Sequence, residues 1–270
     1  MKLFSLLNKK QKTYRTGLVL SGGAARGFAH IGVLKALNEE GIYPDIVSGV
    51  SAGALAGVLY CDGYGAEDIL RIFKDKSLMK FASITIPRDG LMGMDNLGKV
   101  LKESLHAQTF EELKIPFYCN AANLNEGNSE YFHEGELVPR VMASASIPVL
   151  FKPVYMNDSA YVDGGVLDNF PVKPIREKTD SIIGVHVNPT GKEKQIKGLI
   201  KIAERSFHLS VNSRIKEMAA NCDMFIQPEK VNQYGLLNAS AGKALYELGY
   251  EEAKKTLKKQ PLSKFTVKAS

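Results

Sequence analysis

Two glycine-rich turns, each between a short apolar run and a segment with helical spacing, are the strongest constraint that this sequence places on its fold. The turns span residues 21–27 and 49–53. The apolar runs before them are residues 17–20 and 46–48, and the helical segments after them are residues 26–40 and 54–60. A strand, a turn and a helix repeated in this way are typical of a parallel sheet covered by helices. We therefore expect an α/β fold.

The rest of the chain continues this pattern without an internal repeat or a low-complexity linker. The further predicted strands are residues 116–122, 181–187 and 224–226, and the further predicted helices are residues 196–220 and 241–257. No change in composition marks a boundary within this part. We expect a basic N-terminal arm over residues 1–16 and one domain over residues 17–270.

The composition of the 270 residues is that of a globular protein, with 44% hydrophobic and 24% charged residues, which excludes a disordered or coiled-coil chain. The three cysteines are widely spaced and form no disulfide or zinc pattern, so we expect a reducing, cytoplasmic setting. No apolar stretch approaches the ~20 residues of a membrane-spanning helix, and the N-terminal apolar run is too short for a signal peptide. The net charge of +6 suits transient, peripheral contact with an anionic membrane surface.

The second turn, GVSAG at residues 49–53, presents a serine between two glycines. A nucleophilic serine needs its hydroxyl exposed at a tight strand-to-helix turn, and flanking glycines relieve the crowding there. The N-terminus of the following helix adds backbone N–H groups and a positive dipole. Ser51 is therefore a candidate nucleophile, although an ordinary turn can have the same composition.

The first turn, SGGAARG at residues 21–27, has small residues that leave its backbone N–H groups bare. Such groups bind negative charge, either a nucleotide phosphate or the oxyanion of a tetrahedral intermediate. A phosphate loop needs Lys and then Ser or Thr after its second glycine, whereas Phe28 and Ala29 follow Gly27. The glycine spacing of dinucleotide-binding folds is also absent, so the oxyanion interpretation is favoured.

An acidic residue followed by two glycines, Asp163-Gly164-Gly165, comes after the apolar residues Tyr161 and Val162. A carboxylate at such a strand end can enter a crowded site. An isolated Asp-Gly pair usually forms a surface turn, so this motif gains meaning only together with the other two.

Together these motifs resemble the patatin-like phospholipase family. The matching blocks are LSGGAARGFAHIGVLKAL at residues 20–37, similar to its oxyanion segment; GVSAG at 49–53, similar to its nucleophile turn; ASASIP at 143–148 with Phe151 and Pro153, similar to its substrate-side segment; and DGG at 163–165 with Asn169, Pro171 and Val172. Their order is kept from residue 17 to residue 172. The last helix, with Leu248-Gly249-Tyr250, is similar to bacterial members, which are related to the catalytic domain of neuropathy target esterase.

The resemblance implies a three-layer α/β sandwich with a mainly parallel central sheet and helices on both faces. It also implies a serine acyl hydrolase, a lipase, phospholipase A-type enzyme or lysophospholipase, that cleaves carboxylic esters of lipids through an acyl-enzyme. Ser51 is then the nucleophile, and Asp163 is the base that takes its proton. Since an ordinary Asp pKa of about 3.9 is too low for a base near neutrality, we predict that Asp163 is buried and within hydrogen-bond reach of Ser51.

The resemblance also implies an oxyanion hole formed by the amides of Gly22, Gly23 and Ala24. Ala24 stands where many family members have a third glycine. Arg26 is a candidate contact for an anion or phosphate. No cofactor and no metal are implied, and the expected partner is a lipid or other acyl ester rather than a nucleic acid. The sequence leaves the oligomeric state open.

Two other interpretations remain open from the sequence. A Ser-His-Asp esterase that uses His186 keeps the chain order of α/β-hydrolases, although only two strands precede Ser51 here. A non-catalytic lipid- or acyl-binding module of the same fold requires neither Ser51 nor Asp163, yet both are present. Residues 77–97 are apolar without a regular period, so they are either a flap over an acyl trough or part of the core.

Overall fold

A computed structural model describes residues 12–75, 95–148, 150–193 and 195–265 of the chain. Residues 77–94 of the predicted flap lie outside the described residues, and residues 95–97 begin a helix. Most of the predicted N-terminal arm, residues 1–11, also lies outside them.

Eight strands and nine α-helices make up the described part of the chain. The strands are β1 (Tyr14–Leu20), β2 (Ile46–Gly49), β3 (Phe117–Asn123), β4 (Asn128–Phe132), β5 (Val154–Met156), β6 (Ser159–Asp163), β7 (Thr179–Val185) and β8 (Met224–Ile226). The helices are α1 (Phe28–Glu39), α2 (Ala52–Cys61), α3 (Ala66–Asp75), α4 (Asp95–Ser104), α5 (Leu137–Ser144), α6 (Lys173–Arg176), α7 (Leu199–Val211), α8 (Ile215–Ala219) and α9 (Gly242–Leu257). Short 3-10 helices over Ala24–Gly27 and Gly164–Val166 belong to the candidate site.

All eight strands belong to one sheet, in the order β5-β6-β3-β2-β1-β7-β8, with β4 paired to β3 outside this path. The five neighbouring strands β3, β2, β1, β7 and β8 are mutually parallel, whereas β4, β5 and β6 pair antiparallel at one end. The predicted α/β fold with a mainly parallel central sheet is therefore confirmed.

Helices cover both faces of the sheet because side chains alternate along the central strands. Leu18 and Leu20 of β1 pack into a large core with the residues of α1, α2, α3 and α9. Val19 points to the opposite face and packs in a smaller core with Ile175 of α6 and Met218 of α8. The predicted three-layer arrangement is confirmed, with most of the apolar core on one side.

Helices α1 and α9 cross at very short range. A Cβ on Gly32 would lie 2.0 Å from the carbonyl oxygen of Tyr246, and a Cβ on Gly249 would lie 2.0 Å from the carbonyl oxygen of Ala29. The two glycines therefore allow backbone-to-backbone packing, which holds the C-terminal helix against the helix that follows the first glycine-rich turn.

Several predicted boundaries differ from the structure. β1 begins at Tyr14, three residues inside the predicted arm, because Tyr14 and Thr16 already pair with β7. The helix predicted over residues 196–220 is two helices, α7 and α8, separated at residues 212–214. The side chain of Asn212 bonds back to the carbonyl oxygen of His208 and reaches His186 across the fold, and these bonds occur where α7 ends.

Candidate active site

Ser51 lies in the turn between β2 and α2 with an unusual backbone conformation. Its φ is 55° and its ψ is −123°, which is rare for a non-glycine residue and costs about 1–3 kcal/mol. A Cβ on Gly49 would lie 2.5 Å from the carbonyl oxygen of Gly53, and a Cβ on Gly53 would lie 2.3 Å from that of Leu20. Glycines at these two positions let the chain turn tightly enough to present Ser51 at the N-terminus of α2.

Strand β3 brings the ends of β2 and β6 together along one of its edges. β2 runs parallel to the first half of β3, where Gly49 pairs with Cys119. β6 runs antiparallel to the second half, where Asp163 pairs with Ala121, and β4 occupies the other edge. Since β2 and β6 run towards each other, the turn that carries Ser51 meets the last residue of β6.

Asp163 and Ser51 are in direct contact inside the protein. The Ser51 hydroxyl donates a hydrogen bond to Asp163 Oδ2 at 2.5 Å, and the two residues are only 5% and 6% exposed. Asp163 Oδ1 accepts a second bond from the amide of Gly165 at 2.8 Å. Burial raises the pKa of Asp163 to about 6, although the bonds from Ser51 and Gly165 act in the opposite direction. At neutral pH the side chain is therefore an ionised carboxylate able to accept the serine proton.

The end of α5 and the residues after it hold both members of this pair. Ser144 Oγ accepts a hydrogen bond from the Ser51 amide at 3.0 Å. The main-chain carbonyl of Ser146 accepts one from the Asp163 amide at 2.8 Å. Sequence analysis placed residues 143–148 on the substrate side and missed this positioning role, because no sequence pattern tells which distant amide a serine hydroxyl meets.

The first glycine-rich turn lies against Ser51. Of its three predicted oxyanion donors, two are backbone amides that donate no hydrogen bond among the described residues. A Cβ on Gly22 would lie 3.3 Å from the Cβ of Ser51. The Gly22 amide donates to the carbonyl oxygen of Asn169 at 3.3 Å, so the structure disagrees with Gly22 as a free donor. Among the described residues, the amides of Gly23 and Ala24 have no hydrogen-bond acceptor. Ala24 has a φ of 47°.

Arg26 is an anchor for this turn. It is 5% exposed, and its Nε and Nη2 donate to the carbonyl oxygen of Tyr234 at 3.1 and 2.9 Å. Its Nη1 donates to Asn188 Oδ1 at 2.8 Å. These bonds tie the turn after β1 to the segments after β7 and β8. The same side chain also lines a cavity on that side of the turn.

His186 is bonded away from the Ser51–Asp163 pair. Its Nδ1 lies 2.7 Å from Gln227 Oε1, and its Nε2 lies 2.9 Å from Asn212 Oδ1. Both ring nitrogens are therefore occupied by amide oxygens, and the geometry gives no support to a Ser-His-Asp triad.

His30 is a buried structural residue beneath the first turn. Its Nε2 donates to the carbonyl oxygen of Ser21 at 2.8 Å. Burial lowers its pKa to about 4, so the ring is neutral at pH 7 and supports the turn without adding charge.

The described residues hold no cluster of three or more His, Cys, Asp or Glu side chains suited to a metal ion. Within residues 12–75, 95–148, 150–193 and 195–265, no helix combines the length and the apolarity needed to cross a membrane.

Similarity to other proteins extends over most of the chain. The family model described as "Patatin-like phospholipase" matches residues 18–175. "Lysophospholipase NTE1" of Kluyveromyces lactis is 28% identical over 267 residues, covering 87% of this chain and 18% of that protein. The protein of the same name from Saccharomyces cerevisiae is 27% identical over 273 residues, covering 87% of this chain and 16% of that protein. The chain thus spans less than a fifth of the length of these relatives.

The fold also matches a solved structure. VipD from Legionella pneumophila superposes with a TM-score of 0.55 at 17% identity, covering 90% of this chain and 67% of that chain. At this level of identity the match concerns the fold alone.

Proposed function

Because the chain belongs to the patatin-like phospholipase family, we propose that it hydrolyses carboxylic esters of lipids through an acyl-enzyme on Ser51. The observation that carries the proposal is the buried 2.5 Å hydrogen bond from the Ser51 hydroxyl to Asp163. It lies against Gly22 of the turn that also carries the amides of Gly23 and Ala24. A nucleophile, a base and oxyanion donors in one place are the parts that acyl transfer requires.

In the first half-reaction, the Ser51 oxygen attacks the ester carbonyl carbon while Asp163 takes the hydroxyl proton. The carbonyl oxygen becomes an oxyanion, which accepts hydrogen bonds from the amides of Gly23 and Ala24. The intermediate then breaks the bond to the alcohol oxygen, and the departing alcohol takes the proton back from Asp163. The acyl group remains on Ser51.

In the second half-reaction, water attacks the acyl carbon and gives a proton to Asp163. Collapse of the second intermediate releases the fatty acid, and the proton returns to the Ser51 oxygen. Asp163 thus serves as base and acid in turn, which a pKa of about 6 permits near neutral pH.

The substrate class we propose is a phospholipid or lysophospholipid, in line with the name of the curated relatives. We also propose a cytoplasmic location with transient contact with anionic lipid surfaces, supported by the net charge of +6. The C-terminal lysines contribute less to this contact than their number suggests. Lys254 bonds to Glu40, Lys255 to Glu252 and Lys264 to Asp223.

The test compares wild-type protein with Ser51→Ala on a p-nitrophenyl acyl ester and on lysophosphatidylcholine. We expect the variant to lose at least about 1,000-fold in kcat, and a fluorophosphonate probe to label Ser51 in the wild type, as read by peptide mass spectrometry. Ser240→Ala, which changes an exposed serine whose hydroxyl donates to Asn238 Oδ1, is the matched control. Equal rates for wild type and Ser51→Ala would favour the non-catalytic binding module instead.

A further inference from the structure

A cavity of about 520 Å³ lies on the far side of the first glycine-rich turn from Ser51. Its walls come from Arg26 in that turn, from the segment after β7, from α7, and from the segment after β8. A volume in this range suits a small ligand or one part of a larger ligand.

The charged groups of this cavity are predominantly positive. Arg26, Lys192 and Arg205 line it together with one carboxylate, Glu193. His208 also lines the cavity. Burial, and then the charge of Arg26, lower its pKa, so the imidazole is neutral at pH 7. Among the described wall residues there is therefore an excess of two positive charges, and an anion is the ligand that fits them.

Arg205 is held in place for such a ligand. Its side chain is 13% exposed, its Nη2 donates to the carbonyl oxygen of Gly191 at 2.7 Å, and its Nη1 lies 3.7 Å from Glu193 Oε1. A guanidinium has five N–H donors in a rigid plane, so one that is fixed by these two contacts still has donors for the oxygens of a phosphate group.

The cavity and the proposed ester-cleaving site lie at the same edge of the sheet. Strands β2, β1, β7 and β8 are neighbours in this order and run parallel, so the segments that follow them lie at one edge of the sheet. The turn after β1 is therefore between Ser51, which follows β2, and the cavity, which follows β7 and β8. The carbonyl oxygen of Leu236 in the cavity wall also accepts the Ala25 amide at 2.9 Å.

We propose that this cavity binds the phosphate of a glycerophospholipid or lysophospholipid while the ester carbonyl of the same molecule lies at Ser51; the assignment rests on the proposed function. The phosphate and the ester of such a lipid are attached to one three-carbon glycerol unit. A carbonyl held on the Gly23 and Ala24 amides leaves the phosphate of the same molecule a few bonds away, and the turn that carries these amides also contributes Arg26 to the cavity wall.

The experiment measures kcat/KM for two substrates with the same acyl chain, oleoyl-glycerol 3-phosphate and mono-oleoylglycerol. Only the first carries a phosphate, so the ratio of the two kcat/KM values isolates recognition of that group. We expect Arg205→Gln to lower this ratio at least about tenfold, and Arg205→Lys to retain part of it because it keeps the charge without the fork.

A second variant keeps the test valid if Arg205→Gln fails to fold. Lys192 is exposed, and Lys192→Glu reverses its charge, so we expect a fall in the ratio of about tenfold. The matched control is Arg71→Gln, which changes an exposed arginine on α3 paired with Asp68, and it should leave the ratio unchanged. Normal hydrolysis with a ratio that none of the cavity variants changes would overturn the assignment.

A binding arm separates this assignment from the proposed function and from free phosphate as the ligand. Calorimetry with Ser51→Ala measures glycerol 3-phosphate and inorganic phosphate, with and without Lys192→Glu. If glycerol 3-phosphate binds and Lys192→Glu weakens that binding, the anion site is supported. If the wild type nevertheless hydrolyses neither substrate, the proposed function is overturned while the anion site remains. The headgroup assignment would be overturned if inorganic phosphate bound as tightly as glycerol 3-phosphate and the cavity variants left the ratio of the two kcat/KM values unchanged.

Discussion

The hydroxyl of Ser51 and the carboxylate of Asp163 meet at 2.5 Å although the two residues are 112 positions apart in the sequence. The contact exists because β3 pairs with the end of β2 in its first half and with the end of β6 in its second half. The same sheet register therefore sets the distance between nucleophile and base, and burial sets the pKa of the base.

The pH dependence of activity follows from Asp163. Its carboxylate must be ionised to accept the serine proton, and its pKa is raised from 3.8 to about 6, chiefly by burial. We expect kcat/KM to fall as the pH is lowered through about 6 and to be constant above it, because this parameter reports on the free enzyme. A pH-stat assay on a short-chain ester measures this profile. A midpoint near the ordinary Asp pKa of about 4 would show that water reaches the carboxylate in solution.

The same shift predicts that the base destabilises the folded protein at neutral pH. The native state holds the Asp163 proton more tightly than the unfolded state, so the free energy of unfolding falls as the pH rises from about 4 to about 6 and is constant above. A pKa raised from 3.8 to about 6 corresponds to about 3 kcal/mol.

Asp163→Asn should therefore be nearly inactive but more stable than the wild type at pH 8, by up to about 3 kcal/mol. The amide oxygen can keep the bond from Gly165, and the amide nitrogen can donate to the Ser51 oxygen. Urea unfolding at about pH 8 and about pH 4 measures the effect, which should vanish at the lower pH. Asp180→Asn, at an exposed position of β7, is the control. Equal stabilisation at both pH values would contradict the linkage to the Asp163 proton.

Ser144 positions the nucleophile through the Ser51 amide. Ser144→Ala leaves a buried N–H without its acceptor, which costs about 1–3 kcal/mol in the free energy of unfolding. Since the strained turn then loses a hydrogen bond that positions Ser51, we expect kcat to fall at least about tenfold. KM and the pH at which kcat/KM is half-maximal should be unchanged. Steady-state kinetics over a range of pH measure all three quantities.

The control for this variant is Ser146→Ala. It removes the hydroxyl that bonds to the carbonyl oxygen of Lys152 but keeps the main-chain carbonyl that holds the Asp163 amide. Wild-type kcat in Ser144→Ala would show that the turn keeps its geometry without this hydrogen bond.

The central part of the fold could be predicted from the sequence because its signals are local. Residues 49–53 combine two glycines with a preceding apolar strand and a following helix, and the structure has β2 and α2 there. The strand at residues 224–226 was predicted with the bounds that β8 has. In both cases the chain segment itself carries the spacing that decides the element.

The antiparallel end of the sheet was largely missed for the opposite reason. β4 and β5 are half-buried or exposed along most of their length, so they show no clear alternation of apolar and polar residues. Their pairing with β3 and β6 is decided by tertiary contact.

The details of the site depend equally on distant partners. The sequence indicates that Gly22, Gly23 and Ala24 have bare amides, but only the fold shows that the Asn169 carbonyl takes the first of them. The positioning role of Ser144 also depends on where α5 ends relative to Ser51. Such roles depend on contacts across the sheet, and these contacts cannot be predicted from the residue spacing within one motif.

Ala24 gives the last prediction, because it keeps its amide in a conformation that suits glycine better. Its φ of 47° costs an alanine about 1 kcal/mol, whereas glycine adopts it freely but adds about as much entropy to the unfolded chain. The two effects nearly cancel, so Ala24→Gly should change the free energy of unfolding by less than about 1 kcal/mol and should keep kcat.

Ala24→Val should distort the turn, since β-branched residues rarely adopt a positive φ. Displacing one oxyanion donor costs about 100-fold in kcat, and we expect a loss of that order with little change in KM. Steady-state kinetics on the two variants test the assignment of this amide, and an Ala24→Val enzyme with wild-type kcat would remove Ala24 from the oxyanion hole.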